Sequence, residues 1–237
     1  MTKQRLDQLL AIKGIVTSRS QAESWVKLGK VTVDGQVASK PGQFVRTDAD
    51  IKLTATERYV SRAGLKLASV AELLKIDFAK KTVLDVGSST GGFTDFALQN
   101  GAKKVIAVDV GSHQLHPSLR GNSRIDLFEK TDIRDFSTKK LIDIVVIDVS
   151  FISLREILPS VARIAPNAQI VAMVKPQFEA GREQVNKGII KNDAIRRQIL
   201  RDFETWSKSL FVVQAKRDSE VAGSKGNRER FYLLAST

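Results

Sequence analysis

Thr82-Val83-Leu84-Asp85-Val86-Gly87-Ser88-Ser89-Thr90-Gly91-Gly92-Phe93 is the stretch that decides the fold. A short apolar run ends in an acid and opens at once into a glycine-rich turn. A second run, Val105-Ile106-Ala107-Val108-Asp109, ends the same way, its acid 24 residues after Asp85. Two strands that each deliver a carboxylate to one sheet edge, about one crossover apart, are how an α/β domain grips an adenosine-containing ligand. Outward from this stretch, strands are predicted at 82–86, 104–109, 143–148, 169–174, 210–215 and 230–235. Their near-continuous apolar character fits buried, mostly parallel strands. Ile195, Ile199, Phe203 and Trp206 recur every three or four positions and predict a helix over 193–208.

The 237 residues leave room for one large domain, or one of ordinary size plus a small module. A formal charge of +12 attracts polyanions, of which nucleic acid is the commonest in the cytosol. Cysteine is absent, which excludes disulfides and thiolate metal sites. His113 and His116 are the only imidazoles, so no metal site is expected. The first residues show no signal-peptide pattern, and no apolar run approaches the roughly 18 residues that span a bilayer. A cytoplasmic protein without membrane contact is expected.

Residues 1–56 form a basic module, with nine Lys and Arg against five Asp and Glu. Leu6, Leu9 and Leu10 share one face of a first short helix that Gly14 ends. Ser18 with Gln21, or Ser20 with Glu23, offers a capping box for a second helix, which turns Ala22, Trp25 and Val26 inward and stops near Gly29. Asp34-Gly35 between Val31-Thr32-Val33 and Gln36-Val37 marks a two-residue hairpin. Phe44-Val45 and Ile51-Lys52-Leu53 add strand pieces. The runs Arg5-Leu6-Asp7-Gln8-Leu9-Leu10, Ser18-Arg19-Ser20-Gln21-Ala22 and Gly29-Lys30-Val31-Thr32-Val33-Asp34-Gly35 resemble the alpha-L RNA-binding module of a small-subunit ribosomal protein family. The resemblance implies RNA contacts at Arg5, Arg19, Ser20, Lys27 and Lys30. Arg and Lys there would meet phosphates, which fixes position and reads no base directly. Residues 57–60 are the expected linker, and Arg62 just beyond is a further candidate RNA contact.

A nicotinamide dinucleotide site would place glycine at every position of G-x-G-x-x-G, and residue 89 is serine. Asp85, inside the approach strand, suits a ligand carrying an ammonium and would repel a pyrophosphate. S-Adenosyl-L-methionine carries an ammonium, a sulfonium and a ribose. The run from Asp85 to Thr94 resembles the first motif of class I methyltransferases. This implies an α/β, Rossmann-like fold with a mostly parallel sheet, preceded by a small α+β RNA-binding domain, with 61–237 as the methyltransferase domain. It implies cofactor contacts from Asp85, Gly87, Ser88, Gly91, Gly92 and Phe93, ribose binding by Asp109 and adenine recognition by Asp132.

Lys66, Asp148, Lys175 and Glu229 occur in an order that resembles the catalytic tetrad of FtsJ-related ribose 2′-O-methyltransferases. Asp148 and Lys175 end predicted strands, where open α/β sheets place ligands. Val149-Ser150-Phe151-Ile152-Ser153, Lys175-Pro176-Gln177-Phe178-Glu179 and Gly226-Asn227-Arg228-Glu229 resemble, more narrowly, the TlyA (haemolysin A) family of rRNA methyltransferases. A ribose hydroxyl is a poor nucleophile, so a group must take its proton as it attacks. Lys175 is the candidate base. A like charge from Lys66 and removal from water would disfavour its charged form. Asp148 and Glu229 would orient the two lysines, with Asp148 also near the methyl donor.

The family resemblance implies cytidine as the target and, because both chain ends are short, the large ribosomal subunit. This chain departs from the family at Ala63, at Ile189 after Lys187-Gly188, at His116-Pro117 and at Asp132, where asparagine is frequent. Two other functions remain open from sequence. A haemolysin, as the older family name suggests, would need apolar surface able to enter lipid. A non-catalytic ribosome-assembly factor would keep the RNA module but have no use for the tetrad.

Overall fold

The computed structural model describes residues 2–16, 19–27, 29–53, 59–185, 188–190, 192–221, 223 and 226–237; the side chains of Ser20, Gln21, Ser24, Lys27 and Arg182 lie outside this description. The chain divides into two compact units, Met1–Arg58 and Tyr59–Thr237.

In the first unit β1 (Lys3–Arg5) leads directly into α1 (Leu6–Ile12), followed by α2 (Arg19–Lys27), β2 (Val31–Val33), β3 (Gln36–Val37), β4 (Phe44–Arg46) and β5 (Ile51–Leu53). Leu6, Leu9 and Leu10 of α1 and Ala22, Trp25 and Val26 of α2 pack with Val31 and Val45 into one core. The Asp34-Gly35 hairpin forms as its sequence predicts, with positive φ at both residues, as a type I′ turn requires. β1 pairs antiparallel with β4, a pairing not anticipated because Lys3-Gln4-Arg5 carries no apolar signal. The proposed capping boxes involve Ser18, Ser20 and Gln21 and lie outside the described residues and side chains.

Asp7 is the first unit's most consequential polar residue. It is 0% exposed, and its carboxylate receives Arg5 Nε and Nη2 at 3.0 and 2.8 Å and Arg19 Nε at 2.8 Å. The Arg5 fork holds the Asp7 carboxyl well below the usual carboxylate range, against the opposing effect of burial and with help from Arg19. A depressed carboxyl contributes stability above about pH 4 that is lost as pH falls toward its folded value. Asp7→Asn should therefore lower this unit's unfolding midpoint at pH 7 by roughly 5 °C or more, and the gap should narrow below about pH 4. Trp25 fluorescence in a Trp206→Phe background reads the unit separately; equal midpoints at pH 7 would refute the assignment.

The second unit contains α3 (Arg62–Ala71), β6 (Thr82–Val86), α4 (Gly92–Gln99), β7 (Lys104–Val108), β8 (Ile125–Phe128), β9 (Ile144–Ile147), α5 (Leu154–Ile164), β10 (Gln169–Val174), α6 (Pro176–Glu179), α7 (Asp193–Ser207), β11 (Phe211–Asp218) and β12 (Arg230–Ser236). One sheet runs in the order β11-β12-β10-β9-β6-β7-β8. The pairs β10–β9, β9–β6, β6–β7 and β7–β8 are parallel, while β12 lies antiparallel to both β10 and β11. Apolar clusters cover both sheet faces, which is why the central strands read as unbroken apolar runs. Strand order reverses at β6, whose neighbours are β7 on one side and β9 on the other. In such sheets the crevice beyond the strand ends at that point is the ligand site.

Tyr59 and Val60 belong to the second unit. The Tyr59 ring is buried 5.4 Å from that of Phe96, and Val60 N donates to Asp95 Oδ2 at 2.8 Å. The aromatic bulk of Tyr59 makes it core wherever a pocket is at hand. No helix among the described residues is long and apolar enough to cross a membrane, and no His, Asp and Glu group among them could hold a metal ion.

Candidate active site

The crevice at the switch point holds a cavity of about 540 Å³, within the range of small-molecule sites. The ends of β6 and β9 form its floor. Asp148 N donates to Val86 O at 3.0 Å, and Gly87, at φ +80°, approaches so closely that a Cβ there would lie 2.8 Å from Asp148 O. Gly87 therefore has a positional reason to lack a side chain, and it lines the cavity with Asp109, Asp132 and Asp148.

Asp109 Oδ2 accepts from Ser89 N at 2.8 Å and Oδ1 from Gly111 N at 2.7 Å, which fixes the carboxylate on the cavity wall with acceptor capacity to spare. Asp132 accepts a two-pronged contact from Arg134, Nε at 3.0 Å and Nη2 at 2.7 Å, and this guanidinium lowers its pKa below the usual carboxylate range. Arg134 thus orients the Asp132 carboxylate on the cavity wall, where it keeps residual acceptor capacity for a ligand's amino group.

Asp85, Ser88, Gly91, Gly92 and Phe93 do not line this cavity. Phe93 is core, its ring 6.1 Å from that of Phe231. Gly91, at φ +91°, caps α4 and faces Leu115 and Leu119, whose Cδ1 atoms would lie 2.7 and 2.6 Å from a Cβ there. Gly92 brings α3 against α4: a Cβ on it would overlap Ser61 Oγ and lie 2.8 Å from Ala63 Cβ. Gly64 answers from the other helix, where a Cβ would come within 2.9 Å of Gly92 O. Gly92 is thus a packing residue that sets where α3 presents Lys66. Asp85 is fully buried beneath the turn; its Oδ2 accepts from Thr94 Oγ1 at 2.6 Å, while Oδ1 and the Ser88 hydroxyl have no hydrogen-bond partner among the described residues. Burial pushes the Asp85 carboxyl up to about 7, opposed by the Thr94 hydroxyl and reinforced by the charge of Asp148.

The four tetrad residues come together as two ion pairs. Lys66 Nζ lies 2.6 Å from Glu229 Oε2, and Lys175 Nζ lies 2.5 Å from Asp148 Oδ1. Lys175 follows Val174, which pairs with Arg230 across β10 and β12, so Glu229 and Lys175 sit at neighbouring strand ends. Lys66 does not act on Lys175 as an unshielded like charge; each ammonium has its own carboxylate. The loop bearing Glu229 is braced: Asn227 Nδ2 donates to Gly188 O at 2.8 Å, Asn227 Oδ1 accepts from Ile190 N at 3.0 Å, and Arg196 Nε donates to Arg228 O at 2.9 Å. The departure from the family at Ile189 leaves this clamp intact.

Three residues at the site carried no role in the sequence reading. Ser150 Oγ accepts from Lys175 Nζ at 2.8 Å. Phe151 is 91% exposed at the cavity rim, has φ +67° and lies 5.2 Å from the Phe178 ring. Glu179 accepts from Ser153 Oγ at 2.6 Å and Leu154 N at 2.7 Å, holding the start of α5, and its burial raises its pKa. Their motifs were visible, but their partners depend on β9 and β10 being neighbours.

Among the candidate RNA contacts, Arg5 and Arg19 have a different first role, as partners of buried Asp7. Lys30 is exposed, Arg62 is half-buried on the first turn of α3, and the side chains of Ser20 and Lys27 lie outside the description.

Residues 59–236 match the FtsJ-like methyltransferase family and residues 4–51 match the S4 domain. Over 238 residues the chain is 42% identical to the 16S/23S rRNA (cytidine-2′-O)-methyltransferase TlyA of Mycobacterium tuberculosis, covering 97% of this chain and 89% of that one. It is 39% identical over 233 residues to Hemolysin A of Brachyspira hyodysenteriae, covering 95% and 97%. A solved structure of a hemolysin-named protein from Streptococcus thermophilus matches with a TM-score of 0.79 at 39% identity, covering 100% of this chain and 90% of that one.

Proposed function

Because the chain belongs to the FtsJ-like methyltransferase family and carries an S4 domain, we propose that it methylates the 2′-hydroxyl of cytidine in ribosomal RNA, using S-adenosyl-L-methionine. The observation that carries this reading is the pairing of Lys66 with Glu229 and of Lys175 with Asp148 at one edge of the sheet, with Asp148 on the cavity wall. The names of the TlyA relatives support rRNA, cytidine and, as the favoured source, the large subunit. The basic S4 domain supports a polyanionic substrate.

The residues present fit the cofactor. Asp109 on the wall suits the ribose hydroxyls, and the Asp85 carboxyl buried beneath the turn would favour the cofactor's ammonium by its charge. When bound, the cofactor supplies a methyl group made electrophilic by its sulfonium. Lys175 Nζ takes the proton from the ribose oxygen. Asp148 holds that nitrogen in place and stabilises the ammonium it becomes. Glu229 holds Lys66, whose positive charge favours the developing oxyanion. Phe151 offers an exposed aromatic face on which the target base can stack.

Neither alternative has comparable support. The longest helix, α7, buries its apolar residues Ile199, Leu200 and Phe203 in the core, leaving no apolar face for lipid. A non-catalytic assembly factor would have no use for two ion pairs at one sheet edge, one of which reaches the cavity wall through Asp148. Mass mapping of ribose methylation in rRNA from cells with and without this protein tests the proposal. Loss of methylation at one or a few cytidines is expected; an unchanged map overturns it.

A further inference from the structure

Lys175 has a second partner outside the tetrad. Its Nζ donates to Ser150 Oγ at 2.8 Å while lying 2.5 Å from Asp148 Oδ1. We propose that Ser150 is a positioning residue that aims the proton-accepting lone pair of Lys175 at the incoming hydroxyl; this deepens the functional reading above and rests on it.

The nitrogen of a neutral lysine is tetrahedral, with Cε, two N–H bonds and one lone pair. Asp148 alone, an ion-pair partner through Oδ1, leaves Nζ free to turn about Cε–Nζ, so that its N–H bonds and lone pair exchange places. With Ser150 accepting one N–H and the Asp148 carboxylate attracting the other, the lone pair has one direction left. In the transfer the ribose O–H bond breaks and its proton arrives at that lone pair, making an ammonium. The oxygen's electron pair forms the bond to the methyl carbon, and the carbon–sulfur bond of the sulfonium breaks to leave a neutral thioether. Charge balances: one cation is consumed and one is formed.

Ser150 is well placed for this because its loop is pinned to the segment that carries Lys175. Phe151, the next residue, adopts a left-handed φ of +67°, which costs a bulky residue energy and persists only where its surroundings hold it. Those surroundings include the Phe178 ring at 5.2 Å and the Glu179 carboxylate, which accepts from Ser153 Oγ and Leu154 N. Phe178 and Glu179 belong to α6, which begins directly after Lys175. The Ser150–Lys175 contact therefore joins two pieces of chain already fastened together.

Two measurements on Ser150→Ala and Ser150→Thr test the proposal. In single-turnover methyl transfer to unmodified rRNA, Ser150→Ala should be slower by about tenfold, the scale of a lost hydrogen bond to a charged group, with cofactor and RNA affinities unchanged. Ser150→Thr, which keeps the hydroxyl, should restore the rate. The second measurement needs no RNA: reductive methylation of Lys175, followed by peptide mass spectrometry against Lys66 in the same sample. Ser150→Ala should speed modification of Lys175 severalfold and leave Lys66 unchanged. A Ser150→Ala rate within about twofold of wild type overturns the proposal, as does loss of affinity in step with rate or equal acceleration at both lysines. If the wild-type protein fails to methylate ribose, the functional reading falls, and the lysine-modification ratio still decides whether Ser150 orders Lys175.

Discussion

Lys175→Ala should lower single-turnover methyl transfer by about a thousandfold or more while leaving affinity for rRNA and cofactor nearly unchanged. The size follows from the chemistry. A ribose hydroxyl attacking without a base must shed its proton to water, and a positioned general base contributes roughly a hundred- to ten-thousandfold. Within the tetrad the other lysine, Lys66, is paired with Glu229 on the far side of β10's end, and no substitution is expected to let it reach across. The alanine variant also leaves Asp148 without its ammonium partner, which threatens stability as well as chemistry. Lys175→Gln is the control, because its amide can still donate to Asp148 and cannot serve as a base. Equal inactivation of both variants, with intact unfolding midpoints, assigns the loss to proton transfer. If Lys175→Gln keeps more than about a tenth of the wild-type rate, the proton goes elsewhere and the assignment of the base is wrong.

How far the sequence alone could go is clearest at particular residues. The central strands were legible because burial on both faces forces continuous apolar runs, and β6, β9 and β10 fall within a residue of their predicted bounds. β8 was not: Ile125-Asp126-Leu127-Phe128 lies at the sheet edge with Leu127 and Phe128 partly exposed, so neither an unbroken run nor an alternation survives. At the site, strand-end acids and lysines were legible because sheet topology alone carries them to one edge. Glycines were only half legible. A glycine-rich turn announces itself, but the close neighbours of Gly92 are in and beside α3, almost thirty positions earlier in the chain, and those of Gly91 are Leu115 and Leu119, more than twenty positions later. Arg5 and Arg19 show the same limit from the opposite direction. Basic residues in a basic module look like phosphate contacts, and nothing local reveals that these two also pair with the buried Asp7. Ser150 was illegible for a related reason: its partner sits 25 residues away on the adjacent strand.

Asp85→Asn should remove the loss of the second unit's stability between about pH 4 and 8.5. Burial raises the folded pKa of Asp85 to about 7, above the value of about 4 for an unfolded aspartate. Between those values the folded state keeps a proton that the unfolded state has lost, so stability falls as pH rises from about 4 through 7. At pH 8.5 the wild-type protein bears the cost of a buried, half-satisfied carboxylate, roughly 4 kcal/mol by linkage and about 10 °C in the midpoint of a unit this size. The isosteric amide keeps the Thr94 contact and carries no charge. The variant should therefore unfold at a higher temperature than wild type at pH 8.5 and match it near pH 5. The cofactor adds a second expectation of opposite sign. An ammonium bound above the Asp85 carboxyl favours its ionised form, so wild-type cofactor affinity should rise from pH 6 to 8 while the affinity of Asp85→Asn stays weak and flat. Thermal scans at pH 5 and 8.5, with calorimetric titration of cofactor across the interval, separate the two effects. A stability shift without an affinity change would place Asp85 behind the cofactor site as a member of the core; neither change would mean that the carboxyl stays ionised throughout, and its buried oxygen would need another partner.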